Sequence, residues 1–301
     1  MNKCIKISFL SLATLGLVAS CDLDAPTQST LDASSVYSVY SLAEAEVMSI
    51  HQSFAETNSY RGRYLPYYGM NTDIEVGSRT KPSIAEATSD KQSLWNYNTL
   101  SNNGQMNTDN NAYAKFYEGI ERANLAIQGL RQYGNVENDP DMAQLLGEAL
   151  TLRAVIYNDL IKAWGDVPAR FEPNNSSNMY LPRTNRDVIY KRLLADLLEA
   201  EDYCAWPGSG ITSSTERVSK SFVKGLRARL ALYAGGYSLR GDGFRLSKDP
   251  ELAPEKMYQI AKDECIDVIN HSKALESLSF EENFRKLCRD DVTAGGEAHW
   301  G

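Results

Sequence analysis

The chain has 301 residues, of which 43% are hydrophobic, so it is large enough and apolar enough to bury one large core or two smaller ones. Its formal net charge is −8 at pH 7. This acidic balance argues against nucleic acid and anionic lipid surfaces as binding partners, because both repel a negatively charged protein.

The N-terminal segment has the features of a secretory signal that ends in a lipidation site. Lys3 and Lys6 precede an apolar run over residues 7–18, which is too short to hold a protein across a bilayer. Small residues then lead into Cys21, as in a lipobox, where cleavage is followed by acylation of the cysteine. We therefore expect residues 1–20 to be removed and an acyl chain on Cys21 to anchor the protein. An ordinary signal with an incidental cysteine is the alternative.

Six amphipathic helices are predicted along the chain from apolar residues at steps of three and four. The first begins near Ser41, which has the spacing of a capping box with Glu44. The second covers about residues 112–132. The third starts after Asp139, which can cap a helix whose first residue is proline, and ends at Trp164. The glycine and proline that follow Trp164 form a stop signal.

The remaining three helices lie in the second half of the chain. The fourth starts at Thr184, where Asp187 completes another capping box. The fifth runs over about residues 219–235, and the sixth opens at Pro254. The spacing also places Tyr233 and Tyr237 on the interior face of the fifth helix and Cys265 on that of the sixth.

Three cysteines remain beyond the leader and the lipidation site, namely Cys204, Cys265 and Cys288. Their odd number and wide spacing do not indicate a disulfide framework. A single bridge between two of them stays open, since a secreted protein meets an oxidising environment. Packing of Cys204 and Cys265 as small apolar residues on helix faces is the favoured interpretation.

The helix pattern predicts an all-α fold. The second and third helices begin about thirty residues apart, as do the fourth and fifth, which indicates two antiparallel hairpins stacked in the manner of tetratricopeptide repeats. One long irregular stretch, residues 58–111, separates the first two helices. Its many aromatic residues predict a folded, partly exposed insertion instead of a disordered one.

Four blocks of sequence, within residues 117–127, 147–168, 182–197 and 219–239, occur in a characteristic order and spacing. Together with the leader they resemble the SusD/RagB family of surface nutrient-binding lipoproteins of Bacteroidetes. The resemblance extends over nearly the whole chain from Cys21 onward. Relatives generally continue well past the point at which this sequence stops. We therefore expect residues 21–301 to form a SusD-like helical domain that is incomplete at its C-terminus.

The resemblance implies a fold of tetratricopeptide-like hairpins with long irregular loop insertions that carry the binding residues. It also implies a surface lipoprotein of the outer membrane, anchored through Cys21, that delivers an oligosaccharide to a SusC-type TonB-dependent transporter. Acidic residues directly behind Cys21 resemble the signal that exports such lipoproteins to the cell exterior. Peptide capture, as in the RagB branch, is the alternative, and a surface glycosidase is a less favoured one.

A sugar-binding site needs an aromatic platform beside amides and carboxylates, because a sugar ring has an apolar face bordered by hydroxyls. The long insertion offers such groups. The residues predicted to bind ligand are Trp95, Asn96, Tyr97, Asn102, Tyr68 and Asp73. The alternative for Trp95 is that its indole anchors the insertion onto the helical scaffold.

Catalysis finds little support in the sequence. The three histidines, His51, His271 and His299, are widely separated and belong to no metal-binding or nucleophile-base pattern. No phosphate loop or dinucleotide fingerprint occurs. We expect a binding protein with no catalytic residues, no metal and no cofactor, although a distant pair of carboxylates would escape detection in the sequence.

Overall fold

A computed structural model describes residues 31–75, 90–97, 99–213, 216–271 and 279–289 of the chain. The helical unit begins at Ala33. The predicted leader and Cys21 lie outside the described residues. Among the helices that are described, none combines the length and the apolar character needed to span a bilayer.

The described elements are mostly helices, joined by two pairs of very short strands. The helices are α1 (Ala33–Tyr37), α2 (Tyr40–Ala55), α3 (Leu65–Gly69), α4 (Asp90–Ser93), α5 (Gly104–Asn107), α6 (Ala112–Tyr133), α7 (Pro140–Trp164), α8 (Arg186–Tyr203), α9 (Lys220–Gly235), α10 (Pro254–His271) and α11 (Phe280–Cys288). A π-helical segment covers Thr57–Tyr64, and 3₁₀ turns cover Gly210–Thr212 and Pro250–Leu252. The strands are β1 (Val167–Pro168), β2 (Arg183–Thr184), β3 (Ser238–Arg240) and β4 (Gly243–Arg245).

The long helices pack in chain order, each against the next. Helix α6 packs on α7, α7 on α8, α8 on α9, and α9 on α10, while α2 lies against both α6 and α7. The α6–α7 and α8–α9 pairs are the two predicted hairpins. The tetratricopeptide-like all-α architecture expected from the sequence is therefore confirmed. Strand β1 pairs antiparallel with β2, and β3 with β4.

Helix α7 is the centre of the core. Asp139 caps it as predicted, since its carboxylate accepts hydrogen bonds from the backbone N–H groups of Asp141 and Met142 at 3.1 and 3.2 Å. The apolar residues at steps of three and four that predict this helix are buried from Leu145 to Leu160, and Ala163 at the end of the row is half-buried. Residues off that row are buried as well, because α2, α6 and α8 surround the helix.

Two helix starts differ from the capping boxes expected in the sequence. Helix α2 begins at Tyr40, and no side chain caps it. Glu44 does not reach back to Ser41, because its carboxylate accepts hydrogen bonds from Tyr40 and from Arg217. Helix α8 is capped by the side chain of Asn185, one residue later than expected. Thr184 pairs in β2 instead.

Three residues assigned to interior helix faces are exposed. Tyr233 lies at the surface near the end of α9, where its ring contacts Lys162. Tyr237 follows the end of α9 and is 74% exposed. Cys265 is exposed on α10, whereas Cys204 is buried as expected. Cys204, Cys265 and Cys288 are all free thiols.

The described part of the stretch 58–111 is more helical than the sequence suggested. The π-helical segment and α3, α4 and α5 fall within it or at its edge. The tyrosines of the π-helical segment account for this order, because Tyr60 and Tyr64 are buried against Phe116 with ring centroids 4.5 and 5.4 Å away. The described part of the insertion is therefore folded onto the scaffold, as expected, and it is largely helical instead of irregular.

Candidate functional site

The chain that leaves α7 is held against the helical scaffold by hydrogen bonds from buried or half-buried side chains. Tyr117 donates its hydroxyl to the carbonyl of Pro168 at 2.9 Å, and Tyr157 donates to the carbonyl of Arg170 at 2.8 Å. The amide of Asn124 also donates to the carbonyl of Arg170, at 3.2 Å. The exit of α7 is therefore fixed in position, and with it the surface that follows Trp164.

Arg153 joins three helices beneath this exit. Its side chain is fully buried and donates to Asn124 of α6 at 2.8 Å and to Asp196 of α8 at 2.6 Å. Burial lowers the pKa of Arg153, and the neighbouring Asp196 carboxylate opposes that shift. Arg192 donates to the other oxygen of Asp196 at 2.7 Å. The Arg153–Asp196 pair is buried and joins the helices of the scaffold.

A cavity of about 370 Å³ opens at the exit of α7. Three parts of the chain meet around it, namely the end of α7 with the residues that follow it, β2 with the start of α8, and the β3–β4 hairpin. The pairing of β1 with β2 sets Arg183 opposite Pro168 and so brings the second part to the first. The lining residues are Trp164, Asp166, Arg183, Arg186, Leu239, Arg240 and Gly241.

The polar groups of this cavity are mostly cationic. Asp166 accepts hydrogen bonds from the side chain of Arg186 at 2.8 Å and from its backbone N–H at 3.2 Å. Partial burial would raise the pKa of Asp166, but the hydrogen bonds from Arg186 and the charges of Arg186 and Arg240 outweigh burial and lower it. Arg240 pairs with Asp187 at 2.7 Å. Arg183 is exposed, and no described residue pairs with it.

Trp164 connects the cavity to the insertion between α2 and α6. Its indole N–H donates to the side chain of Asn107 at 2.7 Å, and Asn107 is the last residue of α5. The ring packs edge-on against Tyr113 and Phe116, with centroids 5.4 and 5.9 Å away. The indole is thus rigidly held between the scaffold and the insertion.

Two segments that carry predicted binding residues are fastened together by Asn71. Its amide donates to the carbonyls of Tyr67 and Leu94 at 2.7 and 2.6 Å, and its side-chain oxygen accepts the backbone N–H of Tyr97 at 2.9 Å. The hydroxyl of Tyr97 also donates to the carbonyl of Thr72. The turn 94–97 therefore lies against the chain that follows α3.

The predicted binding residues differ in exposure. Tyr97 and Tyr68 are 53% and 52% exposed, and Asp73 and Asn102 lie at the surface as well. Asn96 is buried, and Trp95 is half-buried against the core. Tyr68, Asp73 and Tyr97 lie on the two joined segments. Asn102 lies in the turn before α5, beside Asn103, which is tied to Ser93 of α4 at 2.7 Å.

Lys162 was not anticipated from the sequence. Its ammonium nitrogen lies 5.1 Å from the ring centroid of Tyr68 and 4.8 Å from that of Tyr233. Tyr68 also stacks on the buried ring of Tyr64 at 5.5 Å and 7° between planes. These contacts link the insertion to α7 and α9. No local pattern signals them, because the residues come from distant parts of the chain.

Across the described ranges, no three His, Cys, Asp or Glu side chains converge in a group suited to hold a metal ion. The groups that the surface offers are exposed phenol rings, an indole, guanidinium groups and amides. Such groups suit noncovalent recognition of a polar ligand with apolar faces.

Comparison with known proteins gives consistent matches. A family model described as SusD-like, starch-binding and associating with the outer membrane, matches residues 74–232. The SusD-like protein P38 of Formosa agariphila is 27% identical over 239 residues, which cover 78% of this chain and 43% of that protein.

Solved structures agree with the fold. A SusD homologue from Bacteroides thetaiotaomicron aligns with a TM-score of 0.65 at 17% identity and covers 87% of this chain and 46% of its own. Surface glycan-binding protein A from Bacteroides uniformis aligns with a TM-score of 0.57 at 19% identity, and the alignment covers 80% of this chain and 48% of that protein. The chain therefore spans less than half the length of these relatives.

Proposed function

This chain belongs to the SusD-like family, and from that premise we propose that it is a noncatalytic cell-surface lipoprotein that binds an oligosaccharide. The family description supplies the association with the outer membrane. A similar fold occurs in a surface glycan-binding protein. The proposal further includes delivery of the bound oligosaccharide to a SusC-type TonB-dependent transporter.

The observation that carries the glycan proposal is the fixed and exposed ring of Tyr97. Its backbone is held by Asn71 and its hydroxyl by Thr72, so the ring loses little conformational freedom when a ligand binds. Tyr68, on α3, offers a second ring that is 52% exposed, with Tyr64 stacked on it and the ammonium of Lys162 near it. Sugar rings stack on such surfaces, while amides and carboxylates such as Asn102 and Asp73 bind hydroxyls at their edges.

The role of the other predicted residues follows from their exposure. Trp95 is half-buried, so it supports the turn from below and offers at most part of its ring to a ligand. Asn96 is buried, so its contribution to binding would be to hold the turn in shape. The ligand-facing groups that we propose are therefore Tyr97, Tyr68, Asn102 and Asp73.

Substitution of the exposed tyrosines tests this site. We expect Tyr97→Ala and Tyr68→Ala each to weaken binding to a responsive glycan about tenfold, the effect typical of an aromatic anchor in a binding site. Affinity electrophoresis against a panel of neutral and acidic polysaccharides would identify the glycan, and calorimetry would give the dissociation constants. Tyr258→Ala is the matched control, because Tyr258 is 48% exposed on α10 and outside the proposed site.

Three results would replace this proposal with an alternative. Binding of peptides but of no glycan would favour capture of peptides, as in the RagB branch. Release of shorter sugars from a glycan during incubation with the pure protein would indicate a glycosidase. Equal binding by wild type, Tyr97→Ala and Tyr68→Ala would place the glycan site elsewhere.

The membrane anchor and the transporter can be tested together. We expect the wild-type protein to fractionate with outer membranes and to co-purify with a TonB-dependent barrel after mild detergent extraction. Cys21→Ser removes the acylated sulfur and should release the protein from the membrane fraction, because no acyl chain then partitions into lipid. If Cys21→Ser stays in the membrane fraction without a barrel bound to it, the proposed acyl anchor is wrong. If no barrel co-purifies with the wild-type protein, the proposed transporter partner is wrong.

A further inference from the structure

The cavity at the exit of α7 is locally positive in a chain whose net charge is −8. Three guanidinium groups line it, from Arg183, Arg186 and Arg240. Two carboxylates balance part of that charge, because Asp166 pairs with Arg186 and Asp187 pairs with Arg240. One positive charge, that of Arg183, remains without a described partner.

The acidic residues beside this cavity, Asp187 and Asp242, are already paired with cations other than Arg183. Asp242 follows the lining residue Gly241, but its carboxylate pairs with Arg245 at 2.7 Å and Lys248 at 3.3 Å. Asp187 is likewise committed, since its second oxygen accepts the hydroxyl of Ser247 at 2.8 Å. Among the described residues that line the cavity, the charge left over is that of one guanidinium, which matches one monovalent anion.

The paired arginines are fixed, whereas Arg183 is exposed and no residue in the described ranges pairs with it. Arg240 is almost fully buried and donates to Ser238, Asn185 and Asp187. Arg186 is held by Asp166 through both its side chain and its backbone. The exposed guanidinium of Arg183 carries donors in a planar fork, which matches the oxygens of a carboxylate or a sulfate.

Apolar surface borders the same cavity. The half-buried indole of Trp164 forms one wall and the side chain of Leu239 another. A volume of about 370 Å³ lies at the small end of the range for ligand pockets, about 300–1,000 Å³. An indole beside a guanidinium suits a compact ligand that has an apolar face and one anionic group.

We propose that this cavity binds an acidic sugar residue, with its single anionic group on Arg183 and its ring against Trp164. The anionic group is a uronate carboxylate or a sulfate ester, which present the same monovalent oxygens. This inference rests on the proposed glycan-binding function and specifies the class of glycan. Because the indole of Trp164 donates to Asn107 of the insertion, the cavity borders the segment of the chain that also carries Tyr68 and Tyr97.

Pairs of oligosaccharides that differ in charge but have similar shape show whether the anionic group itself raises the affinity. Trigalacturonate and its methyl ester form one pair, and a sulfated galactan oligosaccharide and its desulfated form make the other. Calorimetry with the full chain should show at least one acidic probe binding about tenfold more tightly than its neutral counterpart, the effect of one charge-assisted hydrogen-bonded contact. The pair that responds identifies uronate or sulfate as the source of the charge.

Variants then assign the preference to this cavity. Arg183→Gln should abolish the tenfold preference without changing the melting temperature, and Arg183→Lys should keep part of it. Arg229→Gln is the matched control, because Arg229 is an exposed arginine on α9 that does not line the cavity. It should leave the preference intact.

The outcomes distinguish the acidic-sugar site from the glycan-binding function on which it rests. Equal binding of acidic and neutral probes, or a preference that survives Arg183→Gln, would overturn the acidic-sugar site and leave glycan binding intact. Failure of every acidic and neutral glycan to bind would overturn the proposed function as well. A preference lost equally in Arg229→Gln would mean general electrostatic attraction and would also overturn the site.

Discussion

The guanidinium of Arg153 lies wholly inside the protein, at the point where α6, α7 and α8 meet. A buried charge is costly unless it is paired, and breaking such a pair by removing one partner typically costs several kcal/mol. Arg153 contacts the carboxylate of Asp196 and the amide of Asn124, and its guanidinium lies 5.0 Å from the ring centroid of Phe171. One side chain therefore fixes three helices and the chain that follows α7.

Removal of Arg153 should strongly destabilise the fold. We expect Arg153→Met to lower the free energy of unfolding by about 3–5 kcal/mol, because it leaves Asp196 and Asn124 buried with fewer partners. Arg131→Met is the control. Arg131 pairs with Glu199 at 2.6 Å, but its side chain is 40% exposed, and such a pair contributes about 0–1 kcal/mol. Chemical denaturation of both variants provides the comparison. Similar losses in the two would contradict a special role for Arg153.

At the scale of helices, the cap at Asp139 was predictable from its neighbours in sequence, whereas the cap expected at Ser41 was overridden by a distant residue. Asp139 accepts backbone N–H groups two and three residues ahead, so the sequence pattern contains the whole interaction. The box expected at Ser41 fails because Glu44 binds Arg217, which lies 173 residues further along the chain. No local pattern reveals such a competitor.

In the candidate site, too, features set by neighbouring residues were predictable and contacts between distant residues were not. The sequence correctly predicts the end of α7 at Trp164 and the order of the described, aromatic parts of the insertion, because both depend on nearby residues. Arg183 reaches the cavity through the pairing of β1 with β2, and Arg240 through a hairpin some fifty residues later. Lys162 meets Tyr68 across the scaffold. These contacts arise from the order in which helices pack, which composition and periodicity do not specify.

At the scale of the whole molecule, stability depends on pH through groups whose pKa values shift on folding. Burial raises the pKa values of Asp159, Glu148 and Glu201, although cationic neighbours oppose each shift. The folded state then binds more protons than the unfolded state, and the contribution of these carboxylates declines as pH rises through their folded pKa values.

His51 acts in the opposite direction. Burial, followed by the nearby charge of Arg217, lowers its pKa from 6.5 to about 4. Between these two values the unfolded state binds the proton and the folded state does not. The stability that neutral His51 contributes is therefore fully present above about pH 6.5 and is lost as pH falls to about 4.

The carboxylates and His51 change stability with pH in opposite directions. The difference in free energy of unfolding between wild type and a His51 variant therefore isolates the contribution of the histidine. We expect the free energy of unfolding of the wild type, measured relative to that of His51→Gln, to fall by at most about 3 kcal/mol between pH 6.5 and pH 4. Above pH 6.5 the difference between the two proteins should stay constant. Urea denaturation at several pH values measures this difference. Gln52→Ala, an exposed neighbour on α2, should run parallel to wild type throughout. A His51→Gln curve that also runs parallel to wild type would show that His51 titrates alike in the folded and unfolded states, so that the pH dependence belongs to the carboxylates alone.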